Sequence, residues 1–188
     1  MLHCAATSSR CEKTAEALCP AVSGLAAELP LLTARGAVPA LELQPGDRLI
    51  TRERGMVPLI DMLVEARCTP MVRIAAGCFG KARPGASLLL PAAQKILLRG
   101  APAWGFDGCD RTHMTAGAIA DSPCGRALGI QHSGRSLTRL CQLILPEPLT
   151  LYAEGLELLV EEPPTPRLSP QLQGQRGRPA LSRAGLQL

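Results

Sequence analysis

Residues 31–58 constrain the fold more than any other stretch, because short apolar runs alternate there with turn sequences. The turn at residues 35–36 contains a glycine, which accepts a positive φ without steric cost. A second turn at residues 45–47 reads Pro-Gly-Asp, in which proline fixes φ and glycine takes the left-handed position of a type II turn. Residues 48–51 follow as a strand. The stretch therefore predicts a compact β unit.

The chain from about residue 24 to residue 162 continues in the same style, with short apolar runs between glycine and proline turns. This pattern predicts an all-β fold in a single domain of short, strongly twisted strands. Residues 76–86 and 101–108 are predicted as turn-rich loops, and residues 114–120 as either a short strand or a helical turn. The remaining predicted strands are residues 59–66, 69–75, 87–91, 95–99 and 137–145, followed by two strands around a glycine bend within 150–160.

The two ends of the chain differ from this domain in composition. Residues 1–23 form a predicted leader, whose helix-forming segment is too short to be stable alone. It lacks the basic region and apolar run of a signal peptide, which leaves a cytoplasmic location and export by a non-Sec route both open. Residues 163–188 contain five prolines and no aromatic residue, which predicts a disordered tail.

Composition also limits the expected partners. Aromatic residues make up only 2% of the chain, too few to supply stacking platforms for single-stranded nucleic acid. The formal charge of +4 is matched by four tail arginines, so the domain itself is balanced and lacks a basic footprint for nucleic acid. No apolar run reaches the roughly 18 residues of a membrane span. We therefore expect neither a nucleic-acid partner nor a membrane span.

Four blocks, taken in order, resemble the bacterial Hint (hedgehog/intein) domain family. The opening block matches it at Val38, Leu41, Leu43 and residues 45–51. The second block, residues 70–80, has an arginine-isoleucine strand before a glycine turn. The third, residues 88–98, has two apolar runs around a short connector. The fourth, residues 143–156, contains the sequence Ala-Glu-Gly-Leu. The resemblance covers residues 24–161 and implies a Hint-like horseshoe of twisted strands.

The resemblance also implies a chemistry, which is self-processing. In active members a Cys or Ser at the first position attacks the carbonyl of the preceding residue and converts a peptide bond into a (thio)ester. A histidine protonates the leaving amide nitrogen, and hydrogen-bond donors hold the tetrahedral oxyanion.

This chain departs from the family pattern at each chemical position. The nucleophile position falls on Gly24, and the histidine position on Gln94, which cannot transfer a proton near neutral pH. The hydroxyl position of the same block is Pro91, and the late acidic-histidine pair falls near Glu147-Pro148, where no histidine occurs. We therefore expect a Hint domain that is degenerate for autoprocessing and acts as a structural or interaction module for a protein partner. No catalytic, cofactor or metal residue is assigned.

An active self-cleaving protein is the alternative. Shifting the alignment by one residue would make Ser23 the attacking group in an acyl shift to oxygen. Cys19 would serve as a displaced thiol nucleophile, although an offset of five residues breaks the strand register.

A small metal-binding protein is the second alternative. Cys109 and His113 have a spacing seen at metal sites, with Cys124 not far beyond. A zinc site usually needs four ligands in two tight pairs, and the second pair is missing here, so a loop cysteine and a solvent-facing histidine are preferred. The leader adds further candidate ligands at His3, Cys4, Cys11 and Cys19, without a Cys-x-x-Cys motif.

The pair His132-Ser133 suggests a hydrolase dyad at first sight. Adjacent residues in an extended segment point in opposite directions, and no strand-to-helix nucleophile elbow surrounds Ser133. We therefore predict a turn at this pair.

Overall fold

The computed structural model describes residues 23–161, so the predicted tail and all of the predicted leader except Ser23 lie outside the described residues. The described part of the chain forms two antiparallel sheets and three short helices. In chain order the elements are β1 (Leu25–Ala26), β2 (Pro30–Thr33), β3 (Gly36–Pro39), a 3-10 turn (Ala40–Glu42), β4 (Arg48–Thr51), β5 (Gly55–Pro58), β6 (Asp61–Ile74), β7 (Leu88–Pro91), β8 (Lys95–Arg99), α1 (Ala101–Asp107), β9 (Arg111–Thr115), α2 (Ala116–Asp121), α3 (Pro123–Ala127), β10 (Gln131–Ile144), β11 (Leu149–Ala153) and β12 (Leu156–Val160).

The smaller sheet has four strands in the order β1-β10-β6-β7. Its centre is the pair β6 and β10, two strands of 14 residues each that run antiparallel from Asp61 opposite Ile144 to Arg73 opposite Gln131. β1 pairs with β10 only at Leu25 opposite Cys141 and at Ala26 opposite Leu140. This short contact fixes the start of the domain against the middle of the long pair.

The larger sheet has the strand order β3-β2-β4-β11-β12-β8-β9, and β5 pairs with β4 along its whole length. Its β11–β12 hairpin turns through Glu154 and Gly155, both at positive φ (47° and 81°). Two positive φ values in a two-residue loop give a turn whose twist matches that of the flanking strands. The predicted glycine bend within residues 150–160 is therefore confirmed.

The core between the elements is almost entirely aliphatic, as the scarcity of aromatic residues requires. On β6, Val72 and Ile74 are buried and Arg73 is exposed, which confirms the predicted alternation. Both sheets contribute fully buried side chains, among them Leu25, Leu31, Leu49, Leu90, Ile96, Leu143 and Leu158. Phe79 and Phe106 add an edge-to-face contact with ring centroids 6.4 Å apart.

The prediction of an all-β domain is confirmed, with local corrections. The prediction of short strands throughout is wrong for β6 and β10. The predicted loop at residues 101–108 is instead the helix α1, which has Pro102 in its first turn and ends at Gly108 in the left-handed conformation, with φ of 67°. Proline is favoured in the first turn of a helix, and a glycine in the left-handed conformation is favoured at its C-terminal end.

Two further segments differ in detail. Residues 114–120 divide between β9 and α2, and Thr115 Oγ1 caps the helix by accepting the Ala118 N–H at 3.2 Å. His132 and Ser133 lie inside β10, so the predicted turn is wrong. They sit beside a register shift, and Gly134 there has a positive φ of 78°. A bulge of this kind resembles a turn in sequence because it also needs a left-handed residue.

Candidate functional site

Ser23, Gly24 and Gln94 line one small cleft of about 130 Å³. Two strand pairings between distant parts of the sequence bring these residues together. Leu25 lies opposite Cys141, which places residues 23 and 24 beside β10. Leu159 lies opposite Lys95, which places the end of β12 beside Gln94. The rest of the wall comes from β10 and from the last described residues, at Cys141, Gln142, Leu143, Leu159, Val160 and Glu161. Both ends of the domain therefore meet at the positions that the family resemblance selected.

Gly24 is buried and offers no side chain to the cleft. A Cβ atom added there would lie 3.3 Å from Leu140 Cβ and 3.7 Å from the Cys141 carbonyl oxygen. A serine or cysteine at this position would thus require Leu140 to move by a few tenths of an ångström. A side chain at this position would therefore pack tightly against β10.

Gln94 is 1% exposed, and its amide is fully engaged with the domain itself. Nε2 donates to the Lys95 carbonyl at 3.0 Å and to the Leu159 carbonyl at 2.9 Å. A carboxamide nitrogen has two hydrogens, so these two bonds use its whole donor capacity. Gln94 joins the start of β8 to β12 and has no N–H left for a substrate.

We expect replacement of Gln94 by leucine to lower the free energy of unfolding by about 2 kcal/mol, because two partly buried carbonyl groups lose their donor. Urea unfolding measures this change. The matched control is Gln142→Leu in the same cleft, where the described residues offer no hydrogen bond to the side chain, and its expected effect is within about 0.5 kcal/mol. Equal losses in the two variants would show that the Gln94 amide bonds do not stabilise the domain.

Cys141 is a cleft residue that sequence reasoning missed. Its thiol is buried, and burial raises its pKa more than the nearby charge of Arg139 lowers it. A raised pKa keeps sulfur in the protonated form, which is a poor nucleophile at neutral pH. No local signal marks this residue, because its place in the cleft depends on the register between β1 and β10.

The two histidines in the described part of the chain lie outside the cleft. His113 is exposed on β9, and His132 is exposed on β10 with Nε2 2.8 Å from Asp121 Oδ1. Glu147, at the late acidic position, forms an exposed ion pair with Arg54 at 2.7 Å. None of these three groups lines the cleft that contains Ser23 and Gly24.

The candidate metal ligands are not gathered into a site within the part of the chain that the structure describes. Cys109 and His113 are both exposed, and Cys109 is a free thiol. Among residues 23–161 no three His, Cys, Asp or Glu side chains come close enough to share a metal ion. The leader candidates His3, Cys4, Cys11 and Cys19 lie outside the described residues.

A larger cleft of about 570 Å³ lies between residues 26–30, the start of β7 and residues 137–139 of β10. Glu28 and Arg139 are the titratable residues of its wall, and none of the positions predicted from the sequence reaches it. No helix within residues 23–161 is long and apolar enough to cross a membrane.

Neither a family model nor a curated protein sequence matches the chain. Among solved structures the chain is similar to several inteins. It covers 98% of the gp41-1 intein, using 74% of its own length, with a TM-score of 0.44 and 10% identity. For the MchDnaB-1 intein the coverage is 98% of that chain and 72% of this one, with a TM-score of 0.44 and 16% identity. For a splice-inactive variant of the AceL NrdHF class 3 split intein, the match covers 99% of that chain and 76% of this one, with a TM-score of 0.45 and 10% identity.

Proposed function

We propose that residues 24–162 form a Hint domain that has lost autoprocessing and serves as a structural or interaction module for a protein partner. The observation that carries this proposal is the composition of the cleft at the domain ends. Gly24 occupies the nucleophile position without a side chain, and Gln94 occupies the histidine position with both amide hydrogens bonded to carbonyl groups. The two positions that the resemblance assigns to the nucleophile and the histidine thus lie at one cleft and supply neither a nucleophile nor a proton donor, which supports the proposal.

The thiol chemistry of the cleft supports the same proposal. Thioester formation needs a thiolate, and the pKa of Cys141 is raised by burial. Oxyester formation at a serine needs a base or acid within hydrogen-bonding distance, and His113 and His132 both lie elsewhere.

The active alternative is retained for one reason, which is that Ser23 lines the same cleft as Gln94. In that case the Ser23 hydroxyl would attack the carbonyl carbon of residue 22, forming a C–O bond and breaking the C–N bond. The hydroxyl proton would end on the released amine of Ser23. The acidic side chain of the described cleft wall is Glu161, which forms an ion pair with Lys95, and neither described histidine lines the cleft.

Intact-mass measurement of the purified full chain separates the two proposals. We expect one species of 19.8 kDa to persist after prolonged incubation with a thiol or with hydroxylamine at neutral pH, since no ester forms that either reagent could cleave. The Ser23→Ala variant is the control, and it should give the same single mass.

A fragment that begins at Ser23 or Gly24 would overturn the degenerate proposal. If Ser23→Ala abolishes that fragment, the serine is the nucleophile. If a fragment beginning at Cys19 appears instead and survives the substitution, the displaced thiol alternative is correct.

A further inference from the structure

In the described part of the chain, the edge of β6 that faces away from β10 has no partner strand over residues 61–69. β6 pairs with β10 over its whole length, but its other edge pairs with β7 only at residues 71–74. Within residues 23–161, no strand covers that edge over residues 61–69, and the next backbone bond on that side is from Ala92 N–H to the Pro70 carbonyl. An uncovered strand edge presents alternate N–H and C=O groups that can pair with another strand.

The side chains along this edge are exposed and of mixed type. Leu63 is 49% exposed and Val64 is 39% exposed, and Arg67 keeps half of its side-chain surface in solvent. Asp61 is exposed and forms no ion pair with another described residue. Arg67 is ion-paired with Glu65 of its own strand, through Nε at 2.8 Å and through a second guanidinium nitrogen at 2.5 Å. The edge therefore carries an acid without an ion pair near one end and, near the other, a half-exposed arginine whose acidic partner lies on the same strand.

From this arrangement we infer that two copies of the chain associate by antiparallel pairing of their β6 edges about a two-fold axis at Val64. A two-fold axis there sets Asp61 of each copy opposite Arg67 of the other, and Leu63 opposite Glu65. Val64 meets Val64 of the second copy at the axis. Each Asp61 gains an opposite charge, and four exposed apolar side chains lose contact with water.

The other open edge of this sheet provides a contrast. β10 pairs with β1 at residues 140–141, and its Arg139 carbonyl accepts the Ala27 N–H at 3.0 Å. The part of β10 before Leu140 carries Arg135 and Arg139 without an acidic residue. Two copies paired about Leu137 would set these arginines against each other, and like charges directly opposite are destabilising. Of these two described edges, the β6 edge is the one whose charges are complementary to themselves.

Sedimentation analysis of the full chain over a range of micromolar concentrations tests the inference. We expect the average mass to rise from 19.8 kDa towards twice that value as concentration increases, and to fall again at high salt. Arg67→Glu replaces two attractive pairs by two repulsive ones, so its dimer dissociation constant should rise about tenfold or more. Arg73→Glu is the matched control, because Arg73 lies on the same strand within the part covered by β7, and it should leave the constant unchanged.

Mixing two variants gives a second test that does not depend on folding defects. Asp61→Arg and Arg67→Glu should each be monomeric alone. A 1:1 mixture should form a heterodimer, because the new arginine faces the new glutamate while the wild-type Asp61 and Arg67 face each other.

Three results would overturn the inference. They are a mass of 19.8 kDa at every concentration, an equal effect of Arg73→Glu, and failure of the mixture to associate. Slow hydrogen exchange of the amides of residues 61–67 in a concentration-independent monomer would assign the edge to another segment of the same chain instead.

Discussion

Replacing Glu157 with alanine is expected to lower the free energy of unfolding by about 3 kcal/mol. Glu157 lies on β12, is 7% exposed, and joins two arginines from different parts of the larger sheet. Oε2 accepts from Arg52 at 3.0 Å, and Oε1 accepts from Arg99 at the end of β8. Removing the carboxylate leaves both guanidinium groups without their acidic partner in a partly buried position. The expected value is at the low end of the range for buried ion pairs because Arg99 retains contact with water.

Urea unfolding of the two proteins at neutral pH measures this loss. Glu161→Ala is the matched control, since Glu161 forms an exposed ion pair with Lys95 at the edge of the same sheet. Exposed pairs contribute at most about 1 kcal/mol, so the control should retain nearly all of its stability. If Glu157→Ala is no more destabilising than Glu161→Ala, the two arginines must be adequately solvated without the carboxylate.

Glu157 also illustrates a feature that the sequence alone does not predict, which is the burial of an acidic residue on β12. The Ala-Glu-Gly-Leu block predicts the hairpin, because a two-residue turn depends on local backbone preferences. It does not predict that Leu156, Glu157 and Leu158 are all buried. β12 is covered on both sides, and the alternation that marks a half-exposed strand is therefore lost. Only the positions of Arg52 and Arg99 explain why an acid is stable there.

The same distinction separates the confirmed elements from the corrected ones. The Pro-Gly-Asp turn and the strand at residues 48–51 were predictable, since both follow from neighbouring residues. α1 was not, because a seven-residue helix is too short to be stable alone and forms only when it packs against β8 and β9. The lengths of β6 and β10 were not predictable either, because each strand is extended by its pairing with the other.

The candidate site was predictable only in part. The family resemblance selected Gly24 and Gln94, and both line the cleft. Cys141 could not be predicted, because its position depends on which residue of β10 faces Leu25, and a strand of 14 residues allows many such registers. Ser23 was found by proximity in sequence alone.

The second large effect is expected at Gly125, in the first turns of α3. Gly125 is buried, and a Cβ atom added to it would lie 1.8 Å from the Ile119 carbonyl oxygen and 2.7 Å from its carbon. These are backbone atoms at the end of α2, held further by the bond from Ser122 Oγ to the Ile119 carbonyl at 2.7 Å. A flexible side chain cannot move aside to relieve the contact, so α2 and α3 must separate.

Gly125→Ala should therefore lower the free energy of unfolding by about 3 kcal/mol or more, the upper part of the range for overpacked positions. Gly105→Ala provides the control, because Gly105 also lies inside a short helix, and its added Cβ would sit 3.5 Å from Cys124 Sγ, an ordinary contact. Alanine favours helix over glycine by up to about 1 kcal/mol, so the control should be neutral or stabilising. Urea unfolding distinguishes the two variants. Similar stabilities for both would mean that the Ile119 carbonyl can move away from Gly125 at little cost.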